Sequence, residues 1–198
     1  MRHKGLRGGF TLIEILIVVS IIAILASLIL AGVSFARNRA NLAVATTTVG
    51  NWVTALKAYQ QDTGGFPGAE YKDEVNAFPA LFEALIGDKK KGKGGPGAPY
   101  MEIKEKDVVV LDDEQLDSEG NPTYRAVEDP ADIYENPKLE KYIIDPWGRP
   151  YVYHENRSRP RQKWMHGRDF DIYSTGANKT DDTIEGLTGS DNDDIGSW

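Results

Sequence analysis

The sequence contains no cysteine in its 198 residues. That absence removes disulfides, thiolate zinc sites, iron–sulfur clusters and cysteine nucleophiles together. Histidine is nearly as scarce, and beyond His3 only His154 and His166 are present. Their spacing fits no metalloprotease motif, and the chain has neither a G-x-S-x-G elbow nor an S-x-x-K sequence. A membrane-anchored hydrolase is therefore the weak rival class, and both histidines read as structural. Positive charge is in deficit, with 23 Lys+Arg against 30 Asp+Glu and a net charge of −7. Nucleic acid is excluded as a main partner, because phosphate binding needs a basic footprint. Gly87–Lys93 spells G-x-x-x-x-G-K, but Gly94 stands where Ser or Thr would hold magnesium. No helix can start in Gly94-Gly95-Pro96-Gly97, so the lysines read as a solvated loop or a patch for an acidic partner.

What the chain does have is one long apolar run. Ile15–Ala36 is 22 residues without a charge. As a helix it spans roughly 33 Å, enough for a bilayer core of about 30 Å. A core helix of a soluble domain would keep a polar stripe, and a cleaved secretory signal has a shorter apolar region ending in small residues. Arg2, Lys4 and Arg7 precede the run, which places the N-terminus in the cytoplasm and the rest outside it. The mean hydropathy of −0.43 averages this segment with a very polar remainder. Glu14 sits just inside the apolar edge, where an ionised carboxylate is costly unless it reaches the headgroups or a partner.

Beyond Arg37 the pattern turns amphipathic. Leu42, Ala45, Val49, Trp52, Val53, Leu56 and Tyr59 recur at three- and four-residue steps, which predicts a stripe packed on a globular head. Gly64, Gly65 and Pro67 end a helix predicted over 10–62. In the head, Phe78–Ile86 reads as a short helix and Val108–Leu111 as a strand. Residues 89–100 form a Lys/Gly/Pro linker, and 111–137 an acidic stretch without a period, whose Asp112, Asp113 and Glu114 read as a solvated loop. Tyr142–Ile144, Pro150–His154 and Phe170–Tyr173 read as strands, with Asp145-Pro146-Trp147-Gly148 as the turn between the first two. Residues 181–198 hold six acids and no base. Oxygen ligands without Cys or His suit a hard cation such as calcium. Asp191–Gly196 begins like an EF-hand loop but has Ile at its fifth position, and the sequence stops before a twelfth. Composition leaves a disordered acidic tail and a cation loop level, because Ile195 and Trp198 supply apolar anchors.

Gly9-Phe10-Thr11-Leu12-Ile13-Glu14 resembles the class III signal of type IV pilins and pseudopilins. The resemblance implies that a prepilin peptidase cuts between Gly9 and Phe10 and methylates the new N-terminal Phe10. Glu14 becomes the fifth mature residue, and its carboxylate is implied to meet the Phe10 ammonium of a neighbouring subunit in the filament core. Removing one partner of such a desolvated pair typically costs about 3–5 kcal/mol, so Glu14 governs assembly more than fold. Many relatives carry a helix-disturbing proline where this chain has Ala31 followed by Gly32. Glycine weakens a helix by about 1 kcal/mol without forcing a break.

Three later segments are similar to the major pseudopilins of type II secretion. They are Asp145-Pro-Trp-Gly-Arg-Pro-Tyr-Val-Tyr, Asp169-Phe-Asp-Ile-Tyr-Ser-Thr-Gly-Ala-Asn and Asp193-Asp-Ile-Gly-Ser-Trp198. The similarity leaves 68–141 poorly covered. It implies a structural calcium ion held by the Thr175 carbonyl, Asn178, Asp193 and Asp194, with Ser190 or Asp191 completing the shell. Asn178 replaces the usual Asp, and Asp181 or Asp182 is the candidate compensating acid. The implied fold is α+β and pilin-like, a long N-terminal helix packed on a small antiparallel β-sheet head with long loops. Its segments are a leader (1–9), a membrane and filament-core helix (10–36), the amphipathic continuation (37–63), a variable region (64–144) and a sheet with the calcium loop (145–198). The implied function is that of a structural subunit of a periplasmic pseudopilus, not an enzyme. Implied partners are further copies of itself, minor pseudopilins, an inner-membrane assembly platform and prepilin peptidase. A surface type IV pilin, or a pilin-like protein with an adhesive head in 68–141, is the alternative.

Overall fold

The structure is a computed structural model, and it describes residues 11–68, 76–86, 99–116, 122–136, 138–157, 166, 169–182 and 192–198. The chain divides into two compact units, 1–40 and 41–198. Helix α1 runs as one element from Leu12 to Thr63 and continues unbroken through Ala31 and Gly32.

In the first unit the described apolar side chains of α1 have nothing to pack on among the described residues. From Leu12 to Ile29 every described large apolar residue is 52–86% exposed. The helix is long and apolar enough to cross a membrane. Such exposure on all sides requires a bilayer or other helices, because water penalises it by roughly 25 cal/mol per Å2.

In the second unit α1 becomes one-sided. Ala45, Val49, Trp52, Ala55 and Leu56 are buried. Leu42, placed in the stripe by spacing, is 47% exposed instead, at the N-terminal end of that stripe. The helix ends where expected: Gly64 adopts φ 79°, and its N–H donates to the Gln60 carbonyl at 2.8 Å. Helix α2, Phe78–Ile86, buries Phe78, Leu81, Phe82 and Leu85 against this face, with the Phe78 ring edge-on to Trp52 at 5.1 Å.

Among the described residues, two three-stranded antiparallel sheets accompany these helices. The first has the order β2-β1-β3, from β2 (Pro122–Ala126), β1 (Val108–Leu116) and β3 (Lys141–Ile143). The second has the order β4-β5-β6, from β4 (Val152–Glu155), β5 (Phe170–Ser174) and β6 (Ile195–Gly196). The acidic stretch 111–137 is therefore more structured than its composition suggests. It contains the end of β1, all of β2 and a short helix α3 at Asp132–Glu135. The predicted turn after Ile144 is present, with Gly148 at φ 88°. It joins strands of different sheets, which touch there through the single bridge Ile144–Pro150 and the Tyr151 N–H to Ile143 carbonyl bond.

The free edge of β4 is closed by the Ala77 N–H, which donates to the Tyr153 carbonyl at 2.9 Å, and by the Asn76 side chain. Asn76 donates from Nδ2 to the Tyr151 carbonyl at 3.1 Å, and its Oδ1 accepts from the Tyr153 and Phe78 N–H groups at 3.0 Å each. It ties the start of α2 to the second sheet. Lys141, 1% exposed, is paired with Glu83 and lies over the Phe82 ring. Both residues use polar groups to join layers whose apolar surfaces alone would not fix their register.

Candidate functional site

Two places among the described residues carry chemistry. The first is the start of α1, where Thr11 and Glu14 form a reciprocal capping box. The Thr11 N–H and hydroxyl both donate to Glu14 Oε2 at 2.8 Å, and the Glu14 N–H donates back to Thr11 Oγ1 at 3.3 Å. This satisfies donors that the helix cannot satisfy itself and holds the carboxylate at the helix N-terminus, where the macrodipole favours negative charge. Gly9 and Phe10 lie outside the described residues. So does the Gly87–Lys93 stretch.

The second place is the loop after β5. Carboxylate oxygens of Asp182, Asp193 and Asp194 all lie within 4.8 Å of one another. Calcium–oxygen distances of about 2.3–2.6 Å place opposed ligands at about this separation. The loop is held open around them by backbone donors. The Ala177 and Asn178 N–H groups donate to Asp193 Oδ2 at 2.8 and 3.0 Å. The Asp193 N–H donates to Asp182 Oδ2 at 3.0 Å. Gly176 has φ 70°, and a Cβ there would stand 2.7 Å from the Asp193 carboxyl carbon. Only glycine lets the two segments approach so closely.

The donor set fits a hard cation. Asp193 Oδ1 is buried without a hydrogen-bond partner among the described residues. Three converging carboxylates repel one another unless a cation or solvent neutralises them. Asn178, a predicted ligand, donates from Nδ2 to Asp182 Oδ2 at 2.9 Å and accepts the Thr180 N–H on Oδ1 at 2.7 Å. The third acid of the cluster is Asp182, which is 1% exposed. Its place at the centre was not readable from composition, which offered six acids and no means to rank them. Thr175 is buried directly before Gly176. Ser190 and Asp191 lie outside the described residues.

The loop is braced on two sides. Asp145 Oδ1 accepts the Trp147 and Arg149 N–H groups at 2.9 Å each, and Oδ2 accepts the Ser174 hydroxyl at 2.6 Å. Ser174 Oγ in turn accepts the Gly176 N–H at 3.1 Å. On the other side the Tyr173 hydroxyl donates to Asp181 at 2.8 Å and lies 3.3 Å from His154 Nε2. Burial, and then the Asp181 charge, push the Tyr173 phenol far above its ordinary range, so it remains a donor. His154 is thus a buried structural residue, and His166 stacks on Trp198 at 4.0 Å.

Residues 5–30 match the prokaryotic N-terminal methylation motif. The chain is 31% identical over 193 residues to the type II secretion system core protein G of Pseudomonas aeruginosa, covering 97% of this chain and 95% of the relative. It is also 45% identical over 58 residues to the type IV wide pilus major component PilA4 of Thermus thermophilus, covering 29% of this chain and 44% of that relative.

Proposed function

The chain belongs to the family of type II secretion system core protein G, the major pseudopilins, and on that premise we propose that it builds a periplasmic pseudopilus that drives protein secretion. It is a structural, pilin-like subunit and not an enzyme. Membership implies polymerisation and processing by a prepilin peptidase, and the apolar helix makes it a membrane-anchored subunit. In this reading the peptidase cuts between Gly9 and Phe10 and methylates Phe10. The leader with Arg2, Lys4 and Arg7 stays cytoplasmic, and residues 41–198 enter the periplasm. Assembly engages minor pseudopilins and an inner-membrane platform.

The observation that carries this reading is the all-round exposure of α1 from Leu12 to Ile29 beside the capped acid Glu14. A single-pass anchor needs the first feature and uses the second only as a helix cap, which an uncharged Gln would serve as well. A polymer core uses both, because a free amine at Phe10 of one copy gives the Glu14 carboxylate of another a partner out of water.

The C-terminal loop is read as a calcium site held by Asp182, Asp193 and Asp194, with Thr175, Asn178, Ser190 and Asp191 as the remaining candidates. Bound there, calcium would neutralise the acids and tie the chain end to β5, a role a disulfide cannot fill in a cysteine-free chain. A surface pilus subunit is the second reading, favoured by the similarity to the pilus component over 58 residues. The match along 97% of the chain favours secretion.

The test is the mature N-terminus. Co-expression with a prepilin peptidase followed by mass spectrometry should give a chain that starts at N-methylated Phe10. An intact Met1 terminus in the presence of active peptidase overturns the processing step.

A further inference from the structure

Within residues 41–63, α1 shows two flanks on either side of its buried stripe. At about 100° per residue, Asn41, Val44, Thr48 and Asn51 fall on one flank, and Leu42, Thr46, Gly50, Val53 and Lys57 on the other. The two flanks differ in chemistry.

The first is one wall of a groove of about 560 Å3, whose other wall brings in Glu102, Lys104, Asp107 and Asp145. Asp145 is spent on its three hydrogen bonds. Glu102 and Asp107 are exposed and have no ion-pair partner among the described residues. With one lysine against three acids, the groove is net acidic. It also contains Trp52, whose indole N–H is buried without an acceptor among the described residues.

The second flank is the complement. Lys57 is exposed and without an ion-pair partner among the described residues. Leu42 is 47% exposed. Gly50 lies in the helix interior, where glycine is the poorest choice after proline. A Cβ built on it meets nothing within 4 Å among the described residues, so packing against them gives no reason for it. It leaves a shallow, backbone-level surface between Leu42 and Lys57 that a second molecule can approach closely.

A basic flank and an acidic groove on different faces of one chain describe a head-to-tail contact. Such heterologous contacts, repeated without closure, generate open helical filaments. We propose that the Leu42–Gly50–Lys57 flank of one copy seats in the acidic groove of a second copy, with Lys57 against Glu102 and Asp107. This rests on the polymerising-subunit reading and adds to it which head surfaces meet.

The absence of native cysteine makes a cross-linking test clean. The full-length chain is expressed with its assembly machinery, carrying Lys57→Cys with Glu102→Cys, or Lys57→Cys with Asp107→Cys. After oxidation, at least one pair should give a ladder of dimers and larger species that collapses on reduction, while each single variant gives none. In parallel, Gly50→Ala should raise the melting midpoint by about 2–4 °C through helix propensity. The same change should reduce sheared filaments at least fivefold, and Gly50→Leu should abolish them. Monomer alone in both double variants, or wild-type filament levels in Gly50→Leu, overturns the interface while wild-type filaments uphold the polymer reading. Absence of wild-type filaments overturns that reading itself.

Discussion

Thr11 and Glu14 hold each other at the start of α1, through two bonds of 2.8 Å from the Thr11 N–H and hydroxyl to the Glu14 carboxylate. In the single subunit the acid is thus engaged within its own chain. On the proposed assembly reading, pairing with a neighbour would exchange or share these donors and trade a local cap for an intermolecular charge pair. Glu14→Gln separates the two roles, because the amide keeps an oxygen for Thr11 and loses the charge. Membrane insertion and helix content should be unchanged in cell fractions, while sheared filaments fall below detection. Filaments at wild-type levels would show that the charge has no part in assembly.

Calcium should stabilise residues 41–198 by mass action. At a hundredfold excess over the dissociation constant the gain is about 2.7 kcal/mol. For a unit of this size that corresponds to a rise in melting midpoint of roughly 5–10 °C. Melting of the full chain in detergent with calcium and with EGTA measures it. Asp182→Asn should cut the shift by at least half. Identical midpoints in both conditions contradict the site.

Gly176 should be intolerant of any side chain. Its φ of 70° and the Asp193 carboxylate beside its Cβ direction give a substituent no room. Gly176→Ala is expected to destabilise the unit by about 1–3 kcal/mol. It should also shrink the calcium-dependent shift, because Asp193 is the group displaced. An alanine variant with the wild-type midpoint and shift would mean that the close approach is dispensable.

Alkaline pH should weaken the head through its buried tyrosines. Burial pushes the Tyr151 phenol up to about 12, helped by the Asp145 charge and opposed by the Thr48 hydrogen bond. Below pH 10 the folded and unfolded chains both keep the proton, and stability is independent of this group. Between pH 10 and about 12 the unfolded chain has lost the proton while the folded chain holds it, so stability falls as pH rises. Tyr173 shifts in the same direction. Denaturant midpoints at pH 9 and 11 should differ, and the difference should be smaller in Tyr151→Phe. An unchanged difference would assign the loss to other groups.

The parts of this protein that sequence reveals are those set by composition and local rules. The charge-free run, the helix stop at Gly64 and the turn at Asp145–Gly148 follow from residue type, and the structure has each of them. Strand β2 was not readable, because Pro122 opens it and acids and turn residues surround it. Its existence depends on pairing with β1, as Val110 faces Arg125 and Leu111 faces Tyr124. The two-residue strand β6 is likewise a product of its partner, β5. The candidate site divides in the same way. Asp193 and Asp194 stood out in the acidic tail, but the selection of Asp182 over Asp181 is a matter of loop geometry. Asp181 turns to the Tyr173 hydroxyl, and Asp182 turns inward to the Asp193 N–H.

The central claim, that this chain is a polymerising pseudopilin, is tested most directly by electron microscopy of filaments sheared from cells making the wild-type chain with its assembly machinery. Helical filaments composed of this chain are expected, each copy starting at Phe10, with the segment Leu12–Ile29 in the core and residues 41–198 outside. A processed chain that stays as membrane-bound monomers, with no filament under any expression level, would contradict it.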